Sequence, residues 1–341
     1  MLNKIPASIF FIIIVFGLSS CFKEDEKITP NKPGDVQSVM IELTKNYNRQ
    51  VYFDLSANKE TANNDKIDFD LAFDSNSGEW MVWLNTATFM RIKNTELSNF
   101  EAIKDTIFGF KWKFDQSVGG LSSNALGYWY DTAQSIPVSK KDVILLDRGI
   151  DVFGNYRGFW KFQMLDADSN AYNIRFARLN GQEDTTIKIL KKTGVNRIQL
   201  SFDKGGQTLN LEPPRFQWDL LFTQYTTLLY TDDNIPYPYI VTGVLTNPHE
   251  VTCYEDTLTA FENINRDYAV SLVLNNIADE IGYDWKMVVG DVTTGNVTYQ
   301  IRPRTTYIIR DAVGLYFKLR FIGFYSNTGE KGYPSFEYVR L

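Results

Sequence analysis

Hydrophobicity along this chain repeats every second residue, and that period restricts most of it to strands. In "KIDFDLAFD", Ile67, Phe69, Leu71 and Phe73 fall on one face and Asp68, Asp70 and Asp74 on the other. In "GFKWKFD", Phe110, Trp112 and Phe114 alternate with Lys111 and Lys113. "LYFKLRFIGFY" alternates Leu315, Phe317, Leu319 and Phe321 with Lys318 and Arg320. A pleated strand sends successive side chains to opposite faces, so a period of two predicts strands. One apolar face and one charged face predict antiparallel sheets covered on one side. Turn-forming clusters such as "DSNSGE" and "SNTGEKG" separate the runs. Helices are few. "TELSNFEAIKD" and "DTLTAFENINRD" are short candidates, each opened by a Thr or Asp suited to a cap. The expected fold is all-β, built of antiparallel sheets with few short helices.

Such a fold must be held by burial. The chain has two cysteines, and Cys21 lies in the N-terminal segment discussed below, so Cys253 has no partner for an intramolecular disulfide. In compensation there are 24 Phe, 19 Tyr and 7 Trp, enough for a large aromatic core. The net charge of -6, with no basic stripe, argues against a nucleic-acid partner. One histidine, His249, serves the whole chain, and with Cys253 alone it cannot complete a zinc site. No HExxH, GxSxG, P-loop or GxGxxG pattern occurs. The acidic residues read as solvent faces of strands and turns, so the chain reads as a binder and not an enzyme.

The N-terminus reads as an address. Lys4, the apolar run "IFFIIIVF" and the small residues before Cys21 have the layout of a secretory signal. The run is far short of the roughly 20 residues a spanning helix needs. "LSSC" resembles the bacterial lipobox, in which the cysteine is acylated and becomes the mature N-terminus. Residues 1–21 are therefore expected to be a lipoprotein signal peptide ending at a lipidated Cys21. "FKEDEK" resembles the acidic export signal of outer-membrane lipoproteins that face the cell exterior. Residues 22–35 then form a tether that reaches at most about 45–50 Å.

Beyond the tether the order of motifs repeats. "FDLAFDS", "FEAI", "GFKWKF" and "FWKFQML" are echoed by "WDLLFTQ", "FENI", "GYDWKMV" and "LYFKLRF". Phe100 pairs with Phe261 in this scheme, Trp112 with Trp285, and Phe159 with Tyr316. A tandem duplication is expected, with β units at 36–192 and 193–341.

The second unit carries a closer likeness. "FQWDLLFTQYTT", "YIVTGVLTNPHEV" and "GLYFKLRFIGFYSNTGEKGYPSFEYVRL" resemble the HmuY-like family of secreted and lipid-anchored haem-binding proteins. The resemblance covers roughly residues 205–341, and the first unit looks like a diverged copy. It implies an all-β haemophore anchored to the membrane by its lipid, which takes up haem and passes it to an outer-membrane receptor. This chain departs from the family's best-known pattern, two histidines on one iron, because it has only His249. Some family members use methionines instead, and thioether and imidazole can both ligate haem iron. Of Met40, Met81, Met90, Met164 and Met287, the last two alternate within strands and read as core. Met81 and Met90 flank "VWLNTATF", and His249 follows Asn247-Pro248. These three are the candidate iron ligands. Tyr237 and Tyr239, in "NIPYPYIVTG", are candidates for stacking on a flat ligand or a sugar face, because Pro236 and Pro238 keep that segment at an edge. The alternative is a surface lipoprotein that binds a glycan or a protein and has lost haem binding.

Overall fold

Strand pairing divides the molecule into two β-sandwiches whose strands are exchanged along the chain. The computed structural model describes residues 34–341, except 107, 108, 110, 135 and 292–295. The expected signal peptide, Cys21 and nearly all of the expected tether lie outside the described residues. From Gly34 onward the chain is one unit.

The described chain opens with β1 (Gln37–Met40), β2 (Arg49–Asp54) and β3 (Lys59–Asp65). Next come β4 (Leu71–Asp74), β5 (Val82–Leu84), β6 (Arg91–Asn94), the short β7 (Tyr130–Asp131) and β8 (Val138–Ser139), and β9 (Val143–Asp147). Then follow β10 (Phe159–Ala167), β11 (Ala171–Arg178), β12 (Thr185–Leu190), β13 (Arg197–Ser201) and β14 (Gln207–Leu209). The last third holds β15 (Leu220–Tyr230), β16 (Pro236–Thr246), β17 (Thr252–Asp256), β18 (Lys286–Asp291) and β19 (Asn296–Ile301). It ends with β20 (Thr306–Arg310), β21 (Tyr316–Tyr325) and β22 (Lys331–Arg340). Among the described residues every strand pairs antiparallel with its neighbours, as the alternating pattern predicts.

The first sandwich joins the sheet β14-β13-β4-β5 to the sheet β12-β11-β10-β9-β6 around one apolar cluster that includes Phe73, Trp160, Tyr172 and Phe202. The second joins β3-β2-β15-β16 to β1-β22-β21-β20-β17 around Phe53, Phe222, Trp285 and Phe336. The strand order is the same in both. Contacts repeat as well. The Lys161 Nζ donates to the carbonyls of Phe100 and Ile103 at 2.7 and 2.8 Å, and the Lys318 Nζ to those of Phe261 and Ile264 at 2.7 and 2.9 Å. Fully buried Asn85 donates to the carbonyls of Lys66 and Phe69, and fully buried Asn247 to those of Arg215 and Trp218.

The expected boundary between 192 and 193 does not follow the sheets. Strands β1 to β3 lie before it yet belong to the second sandwich, with Gln37 opposite Tyr338 in the β1–β22 register. Strands β13 and β14 lie after it yet belong to the first sandwich, with β13 paired to β4 and β14 to β13. The expected unit 36–192 thus lacks two strands of its sandwich, and 193–341 lacks three.

Several local expectations are corrected. "TELSNFEAIKD" forms turns and no helix, while "DTLTAFENINRD" gives a 3-10 turn at Phe261–Asn263 and the start of α1 (Arg266–Ser271). In α1 the cap is Asn265, whose side chain accepts the Tyr268 N–H at 2.9 Å. Both segments lie on the outer face of a five-stranded sheet and cover β9 and β20. That is why "VILLD" is buried throughout and why Lys318 is buried, where the alternation put it in solvent. "GFKWKFD" contributes an isolated bridge from Lys113 to Ile92 and, among its described residues, no strand, with Trp112 half-buried and stacked on Phe159 at 5.7 Å. Its expected counterpart, Trp285, is a core residue stacked on Phe321 at 3.9 Å, so the two tryptophans are not equivalent. Asp70, expected on a solvent face, is fully buried because Arg148 and Arg157 meet it there.

Candidate ligand-binding cleft

A cleft of about 530 Å³ opens along the seam between the sandwiches. The seam is stitched by polar contacts. The Asn196 side chain donates to Asn247 Oδ1 at 2.9 Å, the Thr226 hydroxyl to the Thr86 carbonyl at 2.7 Å, and the Ala278 N–H to the Val118 carbonyl at 3.3 Å. The first sandwich supplies Met81, Trp83 and Arg197, and the loop Val118–Leu121 covers one side. The second supplies Trp218, Leu221 and His249. A smaller chamber of about 100 Å³ adjoins and shares Trp83, Arg197 and Trp218 as walls.

Met81 precedes β5 and is fixed through its backbone. Its carbonyl accepts the Asp74 N–H at 3.1 Å, and its own N–H donates to Asp74 Oδ2 at 3.2 Å. His249 sits in the turn after β16. Asn247 Oδ1 accepts its N–H at 2.9 Å, and its ring meets Phe216 edge-on at 5.0 Å. Asn247 is itself immobilised, since it also donates to the carbonyls of Arg215 and Trp218 at 2.7 and 2.8 Å. In the first sandwich Asn85 grips the Ala87 N–H in the same way, so His249 stands where the other half carries an alanine. Two residues of different halves, a thioether and an imidazole, thereby face one cavity.

The walls are aromatic and charged by turns. The Trp83 indole N–H donates to Asp74 Oδ1 at 2.9 Å, and the Arg197 guanidinium lies 4.2 Å from the Trp83 ring centre. Trp218 meets Tyr52 edge-on at 5.0 Å. Burial raises the carboxyl of Asp74 above its ordinary range, partly offset by Arg197 and the Trp83 N–H. Glu212, at the wall of the small chamber, is pushed up to about 7 by burial, against the pull of Arg197 and the Asn196 N–H. Asp115, which accepts the N–H groups of Leu84 and Ala125 at 2.6 Å each, is raised to about 6, again by burial first.

Other expected site residues lie elsewhere. Met90 is fully buried in the first core, so it has no open face for a ligand and is withdrawn as a candidate. Met164 is core as expected, while Met287, expected there too, is 39% exposed because it lies on the two-stranded β18–β19 ribbon, where Val288 and Val289 are exposed as well. Tyr237 and Tyr239 are exposed on β16, edge-on to each other at 6.3 Å, and neither lines the cleft. They stand on a ribbon, because β2 pairs with only Leu220 to Phe222 of β15 while β15 and β16 pair along their whole length. The outward N–H of Val244 bonds Gly282, so Pro236 and Pro238, in the same parity, remove the donors of that outer edge. Sequence reading missed Trp83, Trp218, Arg197 and Asn247. The signal present was "NPHEV", whose Asn marks a turn and whose buried role needs the Trp218 loop beside it.

A family model described as HmuY protein matches residues 46–338, nearly the whole described chain. The chain belongs to the HmuY family. A search of curated proteins finds no match. Among solved structures, apo PinO from Porphyromonas gingivitis is 11% identical, covering 89% of this chain and 96% of its own, with a TM-score of 0.29. The apo HmuY analogue of Tannerella forsythia is 10% identical, covering 91% and 97%, with a TM-score of 0.25. An HmuY-like haem-binding protein of Bacteroides vulgatus is 16% identical, covering 39% and 78%, with a TM-score of 0.18. Membership rests on the family model, since scores this low do not carry a fold. No helix among the described residues is long and apolar enough to cross a membrane.

Proposed function

We propose that this HmuY-family chain is a surface lipoprotein that captures haem, or another flat hydrophobic ligand, in the seam cleft. The observation behind this reading is that Met81 and His249 line the same cavity of about 530 Å³. That volume lies within the roughly 300–1,000 Å³ of small-molecule pockets. Thioether and imidazole both serve as axial ligands to haem iron. With a single histidine per chain, a bis-imidazole site within one molecule is impossible, so the iron would be held by a mixed set. Trp83 and Trp218 supply apolar walls. The protein's part is capture, with no reaction assigned to it. Cys21 would carry the lipid, "KEDE" would direct it outward, and an outer-membrane receptor would accept the haem. Haem is also the ligand named for the Bacteroides vulgatus relative.

Titration of the soluble chain from Gly34 onward with haem, followed in the Soret region, tests the reading. The expected result is a shifted band that saturates at one equivalent and lacks a bis-imidazole signature. No spectral change in either oxidation state would remove haem. The weight would then pass to a glycan or protein ligand, a reading favoured by the exposed pair Tyr237 and Tyr239.

A further inference from the structure

Within the cleft one cation has no committed partner. Among the described residues that line it, Arg197 is the sole lysine or arginine. Two acids line it too, but their oxygens are engaged. Asp74 accepts from the Trp83 indole and the Met81 N–H, and Glu79 accepts from the Asn76 side chain at 2.7 Å. The Arg197 contact with Asp74 is only Nε to Oδ1 at 3.9 Å, and among the described residues its guanidinium donates no hydrogen bond. Glu212 and Asp115 lie close enough to feel its charge, but their oxygens are taken by backbone N–H groups, Glu212 by Asn196 at 3.0 Å and Asp115 by Leu84 and Ala125 at 2.6 Å each. The side chain is 29% exposed, with its guanidinium held over the Trp83 ring at 4.2 Å, so its fork is positioned and reachable from the cavity. An arginine held this way is suited to a bidentate carboxylate.

We propose that Arg197 anchors a ligand carboxylate in the cleft, so that the site selects flat ligands with a free carboxylate over their esters. This rests on the cleft being the ligand site. Haem carries two carboxylates on one edge of the ring, and an iron held by Met81 and His249 would leave that edge to find a cation.

The test compares haem with haem dimethyl ester on the unaltered soluble chain, and then on Arg197→Gln. The ester is expected to bind about tenfold or more weakly than haem, the scale of a hydrogen bond to a charged group. Arg197→Gln should weaken haem by a similar factor and leave the ester unchanged. Equal binding of haem and ester to the unaltered chain overturns the proposal while leaving haem in the cleft. Binding of neither overturns the cleft reading itself, and this inference with it. The ester comparison needs no variant, so a folding defect in Arg197→Gln cannot obscure the result.

Discussion

Asp70 is fully buried and receives Arg148 through two hydrogen bonds of 2.7 and 2.8 Å, with Arg157 at 3.3 Å and the Phe202 N–H at 2.8 Å. Asp203 still accepts from Arg148 at 3.0 Å, so Asp70→Ala leaves the buried guanidinium groups only partly compensated and should cost toward the lower end of the about 3–5 kcal/mol of a broken buried pair in urea unfolding. A loss under about 1 kcal/mol would show that the network is not stabilising. The second sandwich has Asp219 in the matching place, where it accepts the Leu55 N–H at 2.8 Å. There Asp311 follows β20 as Arg148 follows β9, and among the described residues no arginine pairs with Asp219. Burial first, then Asp311 and Asp54, raise Asp219 to about 7. The unfolded residue ionises near 4. The folded state therefore holds the extra proton, and stability present below about pH 4 falls as pH rises through about 7. Asp219→Asn keeps an acceptor for Leu55 without the charge. Its melting temperature, relative to the unaltered protein, should rise between pH 5 and pH 8, and an unchanged difference would contradict the shift. Neither partner set was legible in sequence. "DFDLAFD" shows only alternation, and Arg148 stands far along the chain.

At the scale of elements, alternation revealed strands wherever one face meets a core and the other water, as in β21. It failed where a turn segment covers the second face, since Lys161 and Lys318 are buried with their charges spent on turn carbonyls. It also failed for sheet membership, because pairing of β1 with β22 depends on contacts across the whole chain. The exchange of strands makes a definite forecast. A fragment of residues 193–341 lacks β1 to β3 and should show no cooperative melt. A permuted chain, 212–341 joined by a short linker to 34–66, restores the second sandwich. The ends already meet, with the Gly34 N–H bonded to the Arg340 carbonyl at 2.9 Å. This permutant should melt cooperatively in a thermal scan followed by near-ultraviolet circular dichroism. A cooperative transition in 193–341 alone would contradict the exchanged topology.

For the molecule as a whole, the likeness that sequence carried over roughly residues 205–341 extends through the family model to residues 46–338. The cleft itself was only half legible. His249 and Met81 were named for their donor atoms, but the seam that joins them is made by two halves folding side by side. For the proposed lipid anchor, Cys21→Ser should abolish incorporation of a fatty-acid analogue and release the protein, since each buried CH₂ of an acyl chain contributes about 0.8 kcal/mol. An unlabelled mature protein with its native Cys21 would contradict the anchor. As proposed, haem sits in the seam and takes its iron donors from both sandwiches. The most direct measurement is the Soret titration repeated on His249→Ala, Met81→Ala and the core control Met90→Leu. Loss or displacement of the shifted band in the first two, with the third unchanged, is the result expected. A band that survives intact in both His249→Ala and Met81→Ala would contradict it.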